Sequence, residues 1–94
     1  MKKKDKNFSN GEIVCLSELK IGSGAEIIQI DIENQLVKRR LFELGIVSGT
    51  IVEIKKFAPL GDPVIVKVRG VELCLRKNEL EKIIAKVVKW KLLL

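Results

Sequence analysis

Apolar residues along positions 36–69 recur first with a helical period and then with a strand period. Val37, Leu41 and Leu44 stand at i, i+4 and i+7, which places them on one helical face. Gly45 follows at the point where helices commonly end in a left-handed residue, so the spacing predicts a short helix that stops there. Ser48-Gly49 is turn chemistry that reverses the chain. From Thr50 the period becomes two: Val52 and Ile54 alternate with Glu53 and Lys55, and Val64, Val66 and Val68 alternate with Ile65, Lys67 and Arg69. Two half-buried strands have this pattern. Between them lies Pro59-Leu60-Gly61-Asp62-Pro63, in which Pro59 ends the first strand, Gly61 can take a positive φ, and Pro63 fixes its own φ and pushes Asp62 to an extended conformation. A rigid, defined tip is expected.

The flanking segments repeat this grammar more faintly. Ile13 to Leu16 reads as a first strand, with Ser17 as the cap of a single helical turn through Lys20. Residues 21–24 turn the chain. Residues 25–32 alternate, with Ile28, Ile30 and Ile32 opposite Gln29 and Asp31, although Ile27 blurs the phase. The polar residues Asp31 to Gln35 lead into the helix. Later, Leu73 and Leu75 alternate with Cys74 and Arg76, and Asn78 is placed to cap a brief turn before Ile83 and Ile84. Five or six short strands with one or two helical segments predict a mostly β fold, a small barrel.

The ordered set RRL, LG, a turn ending in glycine, PLGDP, RG and LRxxE, spread over Arg39 to Ile83, resembles the ferrous iron transport protein A family, the FeoA domain. One departure is Ser48, where the family usually has proline. The resemblance implies an SH3-like β-barrel with one α-helix inserted after the second strand and short helical turns. It implies a small cytosolic accessory of bacterial ferrous iron uptake that works by contact with FeoB, a membrane permease carrying a cytosolic guanine-nucleotide-binding domain. Two other functions are weighed beside it. The C-terminal SH3-like domain of iron-dependent repressors resembles the same family, but 94 residues leave no room for a helix-turn-helix as well. A ferrous iron carrier would need clustered carboxylates, and none stand at helical or hairpin spacing.

Composition narrows the choice. The chain has room for one domain, expected over 11–86, with a flexible basic tail over 1–10 and an apolar and basic extension over 87–94. The net charge of +6 raises nucleic acid as a partner. Its location argues against that: Lys2, Lys3, Lys4 and Lys6 outweigh Asp5 by three, Lys86, Lys89 and Lys91 supply the other three, and residues 7–85 are neutral. No apolar signal core follows the lysines and no run is long enough to cross a bilayer, so a cytoplasmic protein that meets the membrane only through its partner is expected. In the extension, Val88, Trp90, Leu92 and Leu94 would share one strand face, either finishing the barrel or pairing with a second copy to form a homo-oligomer.

Candidate chemistry is sparse. Histidine is absent, and Cys15 and Cys74 lie 59 residues apart in apolar runs, where buried thiols are the expectation rather than a zinc site or a disulfide. No catalytic pair, nucleotide loop or cofactor motif is present, so no enzyme, metal or cofactor is expected. Phe8, Phe42, Phe57 and Trp90 are too few and scattered for a polyproline groove. What remains is contact. On a helical wheel Phe42 points roughly 140° away from Val37, between Lys38 and Arg39, and Leu60 stands at the centre of the rigid tip beside Asp62. Lys38, Arg39, Phe42, Leu60 and Asp62 are therefore the expected partner-binding residues.

Overall fold

A computed structural model describes residues 8–89. Six antiparallel strands form one curled sheet: β1 (Ile13–Cys15), β2 (Gly24–Ile30), β3 (Ile51–Phe57), β4 (Val64–Val68), β5 (Val71–Leu75) and β6 (Ile83–Val88), in the spatial order β1-β6-β2-β3-β4-β5. Helix α1 (Gln35–Glu43) is inserted between β2 and β3, and a single-turn helix α2 (Lys77–Leu80) joins β5 to β6. A 3-10 turn at Leu16–Glu18 follows β1 and packs against α2, bringing together the two chain segments that leave the edge strands.

The strand period builds the core directly. Val52 and Ile54 of β3, Val64, Val66 and Val68 of β4, Leu75 of β5, and Ile83, Ala85 and Val87 of β6 all point inward and are buried. In β2 the phase differs from the expected face of Ile28, Ile30 and Ile32. Ala25 and Ile27 fill the core, and the β2–β6 register shifts between Ile27 and Gln29. The extra residue, Ile28, is exposed, while Ile30 and Ile32 pack partly buried against the core beyond the shift. A bulge reverses alternation within one strand, which is why Ile27 and Ile30 can both face inward.

Several local expectations are corrected. The first helical turn begins at Leu16, so Ser17 lies within it and makes no cap. Asn78 lies inside α2, whose N-cap is Arg76, with the Glu79 carboxylate accepting from the Arg76 N–H at 3.0 Å. Cys74 is exposed and Cys15 half-buried, because strand alternation places Leu73 and Leu75 inward and turns Cys74 out. Phe8 packs against the core, and the Asn10 side chain accepts from the Lys89 N–H at 2.8 Å, so these residues are held against the barrel rather than lying in a flexible tail. Val87 and Val88 are ladder residues of β6 rather than the start of an extension. Residues 1–7 and 90–94, and with them most of the basic tail and the face expected for Trp90, Leu92 and Leu94, lie outside the described residues.

Candidate partner-binding surfaces

Helix α1 is bounded at both ends by side-chain and backbone caps. Asn34 accepts from the N–H groups of Leu36 and Val37 at 2.9 and 3.2 Å, satisfying two donors of the first turn. At the other end Gly45 takes φ +91°, and the N–H groups of Gly45 and Ile46 return to the carbonyls of Phe42 and Leu41 at 3.0 and 2.8 Å. This is a Schellman closure, in which a left-handed residue satisfies the last carbonyls of the helix. It swings Ile46 into the core beside Leu41. Both are fully buried, and Leu44, expected on the core face, is displaced to a position 39% exposed at the helix end. Val37 packs against the core, as its spacing predicts.

The opposite face carries the expected anchors. Phe42 is 68% exposed, Lys38 and Arg39 are exposed around it, and Arg39 meets Glu43 at 3.4 Å in a solvent-facing pair of small energetic weight. Leu36, not singled out by the sequence pattern, is 79% exposed on the same helix. Its position next to the cap, outside the i, i+4, i+7 series, was the available signal.

Leu60 is 96% exposed at the tip between β3 and β4. The tip is closed by backbone bonds from Gly61 N–H to the Ala58 carbonyl at 2.7 Å and from Ala58 N–H to the Pro63 carbonyl at 3.0 Å. Gly61 has φ +87°, and the Asp62–Pro63 peptide bond is cis. Asp62 itself is committed inside the molecule, since its Oδ1 accepts from the Lys77 N–H at 2.8 Å, at the first residue of α2. It caps a helix fifteen residues away, a role that no local pattern announces.

The expected site residues lie on two elements. Lys38, Arg39 and Phe42 share α1, which leads into the N-terminal end of β3, whereas the tip leaves its C-terminal end. Helix α2 links the two: Arg40 of α1 pairs with Glu79, and Asp62 of the tip caps Lys77. Among the described residues, no group of three or more His, Cys, Asp or Glu side chains could hold a metal ion, and no helix is long and apolar enough to cross a membrane.

Fold and surface together define a small antiparallel β module with exposed apolar side chains on a capped helix and on a hydrogen-bonded tip. Residues 14–87 match the model of the FeoA domain, and the chain belongs to the FeoA domain family. The chain is 32% identical over 68 residues to the Fe(2+) transport protein A/Fe(2+) transporter FeoB fusion protein of Porphyromonas gingivalis, covering 72% of this chain but only 8% of the fusion. The solution structure of FeoA from Chlorobium tepidum is similar at 43% identity and TM-score 0.74, over 79% of this chain and 70% of that one. The crystal structure of Stenotrophomonas maltophilia FeoA complexed with zinc, described as a prokaryotic SH3 domain protein, is 31% identical with TM-score 0.67, over 77% and 88% of the two chains. Two solved structures of a manganese-dependent transcriptional repressor, 12 and 13% identical, share the fold alone. The fold is SH3-like, and the chain is a non-enzymatic domain of the FeoA family.

Proposed function

We propose that this chain acts in the cytoplasm by direct contact with the ferrous iron permease FeoB, and that Phe42 with its flanking Lys38 and Arg39 forms the principal contact. The observation that carries this reading is the P. gingivalis relative, in which an A-type domain and the permease are one polypeptide. Two functions joined in one chain are held at high effective concentration, an arrangement suited to partners that act together.

Surface chemistry supports the choice of residues. Phe42 is a large aromatic group on a helix whose both ends are capped, so little freedom is lost when it is covered. Aromatic anchors on rigid supports with cations nearby are typical of interface hot spots. Leu60 offers a smaller second anchor on the tip, while Asp62 serves the interface by holding that tip to α2. Phe42→Ser and Leu60→Asp are each expected to keep the circular dichroism spectrum and to weaken binding to the permease about tenfold, equivalent to roughly 1.4 kcal/mol. Parental affinity in both folded variants would place the contact elsewhere.

A further inference from the structure

The outer face of the β3–β4 ladder ends in a groove of about 500 Å³ between two tight turns, lined by Gly49, Thr50, Ile51, Lys67, Arg69 and Gly70, with Glu53 also in its wall. One turn is Val47-Ser48-Gly49-Thr50, closed by Thr50 N–H to the Val47 carbonyl at 3.1 Å with Gly49 at φ +93°. The other is the two-residue hairpin connection Arg69-Gly70, with φ values of +52° and +82°. Such a turn needs positive φ at both central residues and is ordinarily filled by asparagine, aspartate or glycine. Arg69 is the non-glycine residue with positive φ among those described. A bulky side chain held there costs stability that a smaller residue would not, and backbone strain of this kind gathers where the side chain has a use outside the fold.

The charges around the groove single out the same residue. Glu53 lies opposite Lys67 in the β3–β4 register and meets Lys55 at 3.7 Å, and Lys67 lies opposite Glu72 in β5. These charges balance within the sheet. Arg69 follows the apolar Val52–Val68 pair and takes part in none of the ion pairs among the described residues. Next to it in the lining, Ile51 is 46% exposed, and the buried Thr50 hydroxyl has no hydrogen-bond partner. An unbalanced guanidinium beside an exposed aliphatic residue suits a carboxylate next to an apolar side chain, since arginine binds carboxylates through paired donors.

We infer that this groove is a second contact for the permease, taking a segment in which an acidic side chain stands beside an aliphatic one. The carboxylate pairs with Arg69 and the aliphatic group covers Ile51. This rests on the permease being the partner, as proposed above.

The test measures binding of the full chain to the detergent-solubilised permease at low and high salt, for the parental chain, Arg69→Asn, Arg69→Asp and Phe42→Ser. Asparagine tolerates the left-handed conformation, so Arg69→Asn is expected to raise the thermal midpoint by roughly 4–8 °C. The same variant is expected to lose about tenfold in affinity at low salt and to bind with less salt dependence than the parent, because the screened charge pair is gone. Arg69→Asp should bind more weakly still. Parental affinity and parental salt dependence in Arg69→Asn would overturn the inference while leaving the α1 contact standing if Phe42→Ser still binds weakly. A lowered midpoint accompanying the affinity loss would trace the effect to lost structure and would also overturn it. A parental chain that does not bind the permease would end both readings.

Discussion

Phe42 rides on a helix and Leu60 on a loop, and the two supports are held by different means. Helix α1 is fixed chiefly by burial: Leu41 and Ile46 are sealed in the core, with Asn34 and Gly45 closing the ends. The tip is fixed by directional bonds instead, two within its backbone and one from Asp62 to α2. Both present an apolar side chain with little freedom to lose. The helix can lose a surface residue without consequence but not its core residue, whereas the tip depends on a few hydrogen bonds that single substitutions can remove.

The comparison is broken most severely at Leu41. Leu41→Ala leaves a cavity under α1 and is expected to cost about 2–5 kcal/mol in denaturant unfolding. Because a nine-residue helix depends on its packing rather than on its own propensity, the variant should also lose helical circular dichroism signal. A cost below 1 kcal/mol would mean that α1 is not anchored by burial.

A smaller effect is expected at Asp62. Asp62→Ala removes the acceptor of the Lys77 N–H and should cost about 1 kcal/mol. Its sharper signature is faster hydrogen exchange at the Lys77 amide, with the α1 amides unchanged. Unaltered exchange at Lys77 would contradict the link between tip and α2. The smallest effect belongs to Leu60→Asp, which touches neither support and should shift stability by less than about 0.5 kcal/mol.

The helix and the tip also differ in how far they could be read from the chain. The stop at Gly45, the strands before and after the tip and the exposure of Phe42 and Leu60 all follow from local periodicity and turn chemistry, which act within a few residues. Leu44 illustrates where that reach ends. Its spacing fits the core face, but the left-handed Gly45 redirects the chain and gives the core position to Ile46. The phase of β2 was hidden because a bulge is a property of two paired strands, not of one. The capping role of Asp62 is hidden for a similar reason, since its partner lies fifteen residues on and meets it only once the sheet has curled. Residue type places Cys74 inside, and its strand position overrides that.

The most direct test of the account is co-purification of the permease with the tagged full chain from solubilised membranes of iron-limited cells, with Phe42→Ser and Leu60→Asp carried in parallel. The account predicts that the parental chain retains FeoB and that each folded variant retains clearly less. Membranes from which the parental chain recovers no FeoB, or from which both variants recover it at the parental level, would contradict the account.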